Sequence, residues 1–256
     1  MSVHLSELYQ TRLQGMTTPP ELSRKLRRAD DFIRLAVVAG FQALQTENEK
    51  ISESPGSMGL ILGSAFGTMQ TNFEVLDTVV SGEQTSPTLF SHSVFNAAAG
   101  YMASVFNIQG CALTITDFSF PFFRALREGW LAISSGRLDR CLVLQVETYS
   151  SLLQDARGKH AFQVQEWQPG GVCWLLEKRE EGTRHFHCPE IKDSRHKPLA
   201  LLQCAEQVIV NGRTKHVHDP LGAAMVVSDV FQQDQNRGEL DCRVQGPWGE
   251  VILQLT

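Results

Sequence analysis

Ser119 is the residue of this sequence whose setting most directly suggests chemistry. It lies in the stretch LTITDFSFPFFRAL, residues 113–126, where a short apolar segment breaks at Asp117 and continues into a helix-like pattern. Several α/β enzymes present a reactive Ser or Cys to an acyl group in this way, at a turn between a strand and a helix. The stretch therefore makes Ser119 a candidate nucleophile, or the remnant of one.

A serine nucleophile needs a neighbouring base, and Asp117 and His92 are the candidates that the sequence offers. The stretch DFSFP is not the Gly-x-Ser-x-Gly turn of serine hydrolases, and sequence alone places no histidine beside Ser119. A Ser119-dependent acyltransferase or hydrolase acting on acyl thioesters is thus an alternative. It competes with the commoner role of an isolated serine as a cap or turn residue.

Histidine pairs in the later part of the chain suggest a second chemistry, metal binding. The stretches HFHC and HVH place alternate side chains on one face of any strand that they form, and Cys204 could add a ligand. Their spacing matches no standard zinc motif, so surface histidines are the simpler interpretation and we expect neither a metal nor another cofactor. The candidate ligands are His185, His187, Cys188, His216 and His218.

The glycines of GSAFG, residues 63–67, follow an apolar run and precede a helix pattern. A phosphate-binding loop would need a Lys-Ser/Thr ending, and a dinucleotide-binding loop would need three glycines at fixed spacing. The stretch has neither, so these glycines predict a tight turn from strand to helix.

The elements that must position Ser119 alternate between strand and helix. Apolar runs predict strands at MGLIL, CALTIT, RCLVLQVET and GGVCWLLEKRE, and helical spacing predicts helices within residues 24–44, near residues 73–76, within residues 94–110 and at residues 121–136. This alternation predicts an α/β fold with a mainly parallel sheet. Beyond residue 180 the pattern is weaker, apart from two strands predicted around the Gly-Pro-Trp-Gly turn.

Composition and charge exclude several functional classes. The 256 residues are 42% apolar, which suffices for a buried core, and the net charge of −5 gives no reason to expect nucleic acid or an anionic membrane as partner. No segment approaches the ~18 consecutive apolar residues of a membrane span, and the N-terminal residues do not resemble a signal peptide. We expect a cytoplasmic protein whose six scattered cysteines form no disulfides.

The order of these elements and the residues at their joints resemble the N-terminal half of a β-ketoacyl synthase, a condensing enzyme of the thiolase-like superfamily. Arg27, Asp30 and Phe32 match the family's Arg-x-x-Asp-Arg-Phe helix, although Asp31 replaces its second arginine. MGLILGSAFG, the helix of SVFNAAAGYMASVF, GRLDRCLVLQVE and PGGVCWLLEK are similar to the segments that follow in the family. The resemblance covers about residues 23–180, with several motifs in the expected order.

The resemblance places the family's nucleophilic Cys at Ser119, in a turn that usually reads Thr-Ala-Cys-x-Ser/Thr. A condensing enzyme needs a thiolate, which Cys forms far more readily than Ser loses its proton. The family's first strand and most of its C-terminal half, with two catalytic histidines, are expected to be missing. The implied fold is an α/β thiolase-like half, with helices on both faces of a mainly parallel sheet, shortened relative to a full ketosynthase. No catalytic residue is expected, and four phenylalanines are expected to crowd Ser119: Phe118, Phe120, Phe122 and Phe123.

A ketosynthase half without this Cys resembles the chain-length-factor subunits found beside active ketosynthases. The resemblance implies a heterodimer with a catalytic ketosynthase subunit, whose acyl pocket this chain would shape, in polyketide or fatty-acid type biosynthesis. It also implies an acyl carrier protein as a further partner, and no catalytic activity of the chain alone. We expect the heterodimer interface at five residues, for which plain core is the competing interpretation. These are Phe95, Asn96, Ala99, Met102 and Phe118.

The predicted domain organisation has three parts. Residues 1–22 are an N-terminal arm, residues 23–180 are the ketosynthase-like core, and residues 181–256 are an atypical extension that completes the same domain. The strand-like end EVILQLT suggests that this extension fills the sheet edge left by the missing first strand.

Overall fold

The computed structural model describes residues 2–45, 54–160, 166–179, 185–194, 206–233 and 239–256. The strands are β1 (Ser2–Arg12), β2 (Met58–Ser64), β3 (Ala112–Thr116), β4 (Arg140–Glu147), β5 (Gly170–Arg179), β6 (Glu190–Asp193), β7 (Glu206–Val210), β8 (Arg213–Val217), β9 (Leu240–Gly246) and β10 (Gly249–Leu255). The helices are α1 (Pro20–Ser23), α2 (Asp31–Ala43), α3 (Met69–Val80), α4 (Pro87–His92), α5 (Ala97–Phe106), α6 (Pro121–Ser134), α7 (Ser151–His160) and α8 (Gly222–Gln233).

The first sheet has the strand order β1-β5-β4-β2-β3. β2 runs parallel to both β3 and β4, whereas β5 runs antiparallel to β4 and β1 runs antiparallel to β5. β1 therefore points the same way as β2, β3 and β4, and the predicted mainly parallel sheet is confirmed. All eight residues of β4 are buried, as expected for a central strand covered on both faces.

Helices cover both faces of this sheet, as predicted. On one face, α2 and α5 pack on residues of β2, β4 and β5 such as Leu60, Leu142 and Leu175. On the other face, α6 and α8 pack on the alternate residues of the same strands, including Val143 and Trp174. This period of two assigns neighbouring side chains of each strand to opposite cores.

The N-terminal segment contains a strand that the sequence analysis did not predict. Residues expected to form only an arm include β1, which pairs along its whole length with β5, from Ser2↔Arg179 to Arg12↔Gly170. The expectation that this sheet edge lacks a first strand, and that EVILQLT fills it, is wrong. The residues of β1 alternate between polar and apolar only from Ser2 to Ser6, and an irregularity in the pairing register between Leu5 and Glu7 interrupts the pattern, which leaves it too short to predict the whole strand.

The C-terminal part forms a second sheet of five strands in the order β6-β10-β9-β7-β8, with antiparallel pairing throughout. The two strands predicted around the Gly-Pro-Trp-Gly turn are confirmed as β9 and β10. Helix α8 lies between the two sheets, where its buried Ser228 Oγ accepts a hydrogen bond from Trp174 Nε1 of β5 at 2.8 Å. The division of the chain at residues 22 and 180 stays a prediction.

Helix α2 begins later than its sequence pattern indicates. Asp30 caps it, with a side-chain oxygen that accepts a hydrogen bond from the Ile33 N–H at 2.9 Å, while residues 24–28 form a turn. The predicted inward face is confirmed, because Phe32, Leu35 and the alanines that follow at helical spacing are buried.

Two glycines shape the end of β2 and its connection to α3, where the sequence predicted a tight turn. Gly67 adopts the left-handed region, with φ of 57°, between β2 and α3. A Cβ at Gly63 would lie 2.3 Å from the Pro121 carbonyl oxygen, so only glycine lets the start of α6 approach β2 this closely.

In the described part of the chain, no helix has the length and apolar composition of a membrane span.

Candidate functional site

The predicted strand, turn and helix around Ser119 are confirmed. β3 ends at Thr116, α6 begins at Pro121, and Ser119 lies in the turn between them with only 6% of its surface exposed. The turn is held locally, since the Ser119 N–H donates to Asp117 Oδ1 at 3.1 Å. The sequence therefore places this serine where a nucleophile-bearing turn would stand.

The hydroxyl of Ser119 is bound by the carboxylate beside it. Ser119 Oγ lies 2.8 Å from both Asp117 oxygens and donates its proton to that group. Arg124, one turn into α6, pairs with Asp117 through Nε and reaches Asp193 of β6 through Nη2. A single guanidinium thus joins the Ser119 turn to the second sheet.

This network leaves Asp117 a poor base. Burial by itself raises the pKa of the Asp117 carboxyl, but the hydrogen bonds from Ser119 and Arg124 and the charge of Arg124 outweigh burial and lower the pKa below its ordinary value. A carboxylate with a lowered pKa has little tendency to take the proton of a serine hydroxyl. The geometry around Ser119 is therefore that of a fixed turn, without an activating base among its contacts.

The phenylalanines near Ser119 divide between the surface and the core. Phe118 is 48% exposed, and its ring lies 5.7 Å from that of Phe66 in the loop after β2. Phe66 in turn contacts Tyr149 and Trp167, so an aromatic cluster covers this end of the sheet. Phe120, Phe122 and Phe123 are instead buried and belong to the core behind the turn, as their near-zero exposure shows.

A buried glutamate that the sequence analysis missed lies at the same end of the sheet. The Glu147 carboxylate, at the end of β4, accepts hydrogen bonds from the Ala65 and Phe66 N–H groups at 2.6 and 3.2 Å and from Ser64 Oγ at 3.1 Å. Burial raises its pKa to about 7, although these hydrogen bonds act in the opposite direction. The sequence signal that could have revealed it is a charged residue at the end of the largely apolar run RCLVLQVE. In the structure, this carboxylate holds the loop that carries Phe66.

The predicted interface residues do not share one surface. Phe95 is 46% exposed, and Asn96 and Phe118 are also exposed. Ala99 and Met102 are 2% and 0% exposed because they face α2, and a Cβ at Gly40 would lie 2.4 Å from the Met102 side chain. Their burial favours the core interpretation for these two residues, and the interface at the five residues stays a prediction.

Further apolar side chains are exposed on β3 and in the segment around Phe95. β3 is the edge strand of the first sheet, and Leu113 on it is 41% exposed. Phe90 and Val94, near the exposed Phe95, are 60% and 43% exposed. Exposed large apolar side chains of this kind are candidates for protein contacts.

The histidines and cysteines form no metal cluster within the described residues. The rings of His185 and His187 lie 4.7 Å apart, whereas His216 and His218 line a separate cavity near α8. The candidate ligand Cys204 lies outside the described residues.

The chain contains cysteines, but residue 119, at which the family resemblance places the nucleophilic Cys, is a serine. Burial raises the pKa of the Cys141 and Cys173 thiols, while Cys188 is half-buried and Cys111 is exposed at the surface. Cys242 of β9 is also buried, and none of these five described cysteines lies in the turn between β3 and α6, so no described thiol replaces a nucleophile at residue 119.

The fold and the strand–turn–helix site define a thiolase-like α/β half with a ketosynthase-type arrangement of elements. The chain belongs to the family described as β-ketoacyl synthase, N-terminal domain, whose model matches residues 17–203. Among curated proteins, none matches the sequence significantly.

Solved structures share the fold at low sequence identity. A chain of the ketosynthase (ApeO) in complex with its chain length factor (ApeC) from Xenorhabdus doucetiae is 14% identical, with a TM-score of 0.64, and the match covers 100% of this chain and 99% of that one. The ishigamide ketosynthase/chain length factor gives a TM-score of 0.61 at 13% identity, covering 82% and 68%. A β-ketoacyl synthase from Burkholderia phymatum gives 0.57 at 15% identity, covering 70% and 59%.

Proposed function

We propose that this chain is a non-catalytic ketosynthase-like subunit, of the chain-length-factor type, that pairs with an active β-ketoacyl synthase and shapes the acyl pocket of that enzyme. The observation that carries the proposal is the environment of Ser119. Ser119, which the family resemblance assigns to the nucleophile position, has a hydroxyl that donates to Asp117, and Arg124 neutralises that carboxylate. A group fixed in this way lacks the activation that acyl transfer demands.

The exposed apolar surface supports the pairing. β3 has a neighbour, β2, on one side, and on its other side it pairs with no strand among the described residues. A free edge with an exposed Leu113, close in sequence to Phe118, is a surface that a second chain would bury. Phe95 and Phe118 are the residues that we expect to reach the partner and to border its acyl pocket.

The alternative of a Ser119-dependent acyltransferase or hydrolase has less support. His92, one of its candidate bases, packs edge-on against Tyr101 of α5, with ring centroids 5.9 Å apart, and within the described residues it makes no hydrogen bond to Ser119. Asp117, the other candidate, has a lowered pKa. An acyl carrier protein as further partner, and the assignment to polyketide or fatty-acid type biosynthesis, remain predictions from the family resemblance.

Co-expression with a complete, Cys-containing ketosynthase from the same source tests the proposal. Native mass spectrometry is expected to show a one-to-one complex, and intact-mass analysis after incubation with acyl thioesters is expected to show the acyl group on the partner only. Leu113→Glu is expected to disrupt the complex, while Lys215→Glu, on the edge strand β8 of the second sheet, leaves it intact.

Two results would overturn the proposal. The first is acylation of this chain that disappears in Ser119→Ala, which would make Ser119 a working nucleophile. The second is a chain that remains alone in the presence of its ketosynthase.

A further inference from the structure

Helix α3 exposes a stripe of apolar side chains. Leu76, Val79 and Val80 are 54%, 61% and 86% exposed. Phe73, Leu76 and Val80 follow one another at spacings of three and four residues, which places them on one face of the helix. Val75 is buried and anchors a different side of α3 to the protein. The stripe is therefore a helix face that no described part of the chain covers.

Carboxylates flank this stripe. Glu74 and Asp77 are exposed on the same helix, and Glu83 is exposed in the connection that follows it. Glu74 accepts a hydrogen bond from Gln70 Nε2 at 3.0 Å, and none of the three carboxylates forms an ion pair with a described residue. The stripe thus borders on negative charge that the described part of the chain leaves unneutralised.

Basic residues are missing from the whole segment that carries α3. The chain has 23 Lys and Arg residues, yet none lies in residues 51–123, which include β2, α3, α4, α5 and β3. The basic turn of residues 24–28 precedes Asp30, which accepts a hydrogen bond from Thr71 Oγ1 at 2.8 Å. This contact is at the first turn of α3, about 14 Å along the helix axis from Val80. A surface that complements the stripe is therefore basic as well as apolar.

The neighbours of α3 connect the stripe to the sheet edge at which pairing is proposed. α3 contacts α4, α4 contacts α5, and α5 contacts β3, the edge strand of the first sheet. A second copy of this chain is a poorer occupant, because two α3 faces packed about a two-fold axis would bring the carboxylates of both copies together. A ketosynthase subunit bound at the β3 edge is better placed to reach α3.

We infer that a basic and apolar segment of the ketosynthase subunit covers the α3 stripe, defined as Phe73, Leu76, Val79 and Val80. The inference rests on the proposed function, because it assigns a second contact to the same heterodimer. The apolar side chains would supply most of the affinity, and the carboxylates would speed association with a basic partner and disfavour an acidic one. The spacing of the stripe suits a helical segment of the partner.

Binding of the full chain to its immobilised ketosynthase, measured by biolayer interferometry, tests the contribution of the stripe. Leu76→Ala combined with Val80→Ala is expected to weaken binding about tenfold, because it removes apolar contact area while alanine preserves the helix. Gln70→Ala, at another exposed position of α3, is the matched control and is expected to bind like the wild type. Urea unfolding of the chain alone checks that these variants keep the stability of the wild type.

Charge reversal tests the chemistry of the partner. Glu74→Lys combined with Asp77→Lys is expected to slow association about fivefold at about 50 mM NaCl and to have little effect at about 500 mM, where salt screens the attraction. Glu190→Lys combined with Glu239→Lys makes the same change in net charge at exposed positions of the second sheet and its approach. This control is expected to leave the association rate unchanged.

Three results would overturn the inference. The first is a Leu76→Ala, Val80→Ala variant that binds as tightly as Gln70→Ala, and the second is equal slowing by the two charge reversals, which would mean that only net charge matters. The third is self-association of this chain that the alanine variant abolishes, which would make a second copy the occupant. A stable wild-type complex with unaffected α3 variants overturns this inference alone, whereas a chain that never pairs with its ketosynthase overturns the proposed function as well.

Discussion

Glu147 makes the stability of this protein depend on pH in a direction opposite to that of most carboxylates. Its side chain is fully buried at the end of β4 and holds the loop of Ala65 and Phe66 by accepting their N–H groups. Burial raises its pKa from the ordinary 4.5 to about 7. The folded protein therefore keeps a proton that the unfolded chain releases between these two pH values.

The sign and size of the effect follow from this difference. The Glu147 contribution to the free energy of unfolding is fully present below pH 4.5 and is lost as the pH rises through 7. The difference between the two pKa values corresponds to about 3 kcal/mol. Replacing Glu147 by Gln removes the ionisable group, so the variant lacks this loss.

Urea unfolding at pH 5, 6, 7 and 8 measures the effect in the wild type and in Glu147→Gln. The wild type is expected to lose up to about 3 kcal/mol relative to the variant across this range. Comparison at each pH cancels the contributions of other groups, such as Glu206, whose pKa burial raises to about 8. Glu74→Gln, at an exposed position, is the control and should show no trend. A difference between wild type and Glu147→Gln that stays constant with pH would refute the reasoning.

Three further substitutions test the packing around the site, each measured by urea unfolding of the chain alone. Arg124→Leu is expected to cost about 1–3 kcal/mol, because Asp117 then loses its cation, and an unchanged stability would contradict this. Met102→Ala should lower the free energy of unfolding by about 2–5 kcal/mol, because it leaves a cavity in the core. Phe95→Ala should lower it by under about 1 kcal/mol and should mainly weaken binding to the partner. Equal losses of stability would mean that both side chains are buried to the same extent. Gly63→Ala should cost about 1–3 kcal/mol, since its Cβ would meet the Pro121 carbonyl; tolerance without loss would mean that α6 can move.

The sequence predicted the elements that carry strong local patterns. β4 reads as a continuous apolar run because both of its faces are covered, and α2 shows its buried face through helical spacing. The direction of a strand and its pairing at a sheet edge produce no comparable pattern in the sequence. β5 is as apolar as β4, yet it runs antiparallel to it, and β1 joins β5 through backbone hydrogen bonds that any side chain permits.

The candidate site was predictable only in its local part. The position of Ser119 follows from the spacing of a strand, a turn and a helix within one short stretch. Its fixation by Arg124 does not, because the guanidinium joins residues 117 and 193, which no local pattern connects. Small residues on α5 likewise suit a core and an interface equally, so the burial of Ala99 and Met102 depended on where α2 packs.

The pairing of β1 with β5 dictates an order of events during synthesis. β1, Ser2–Arg12, leaves the ribosome well before its partner β5, which ends at Arg179, and no nearer described strand pairs with it. Until that partner emerges, the N-terminal strand stays unpaired while β2, β3 and β4 can already associate. Such distant pairing raises the contact order and slows folding. The nascent chain consequently exposes an unpaired strand and an incomplete sheet until β5 has been synthesised, which is the period when chaperone binding would matter most.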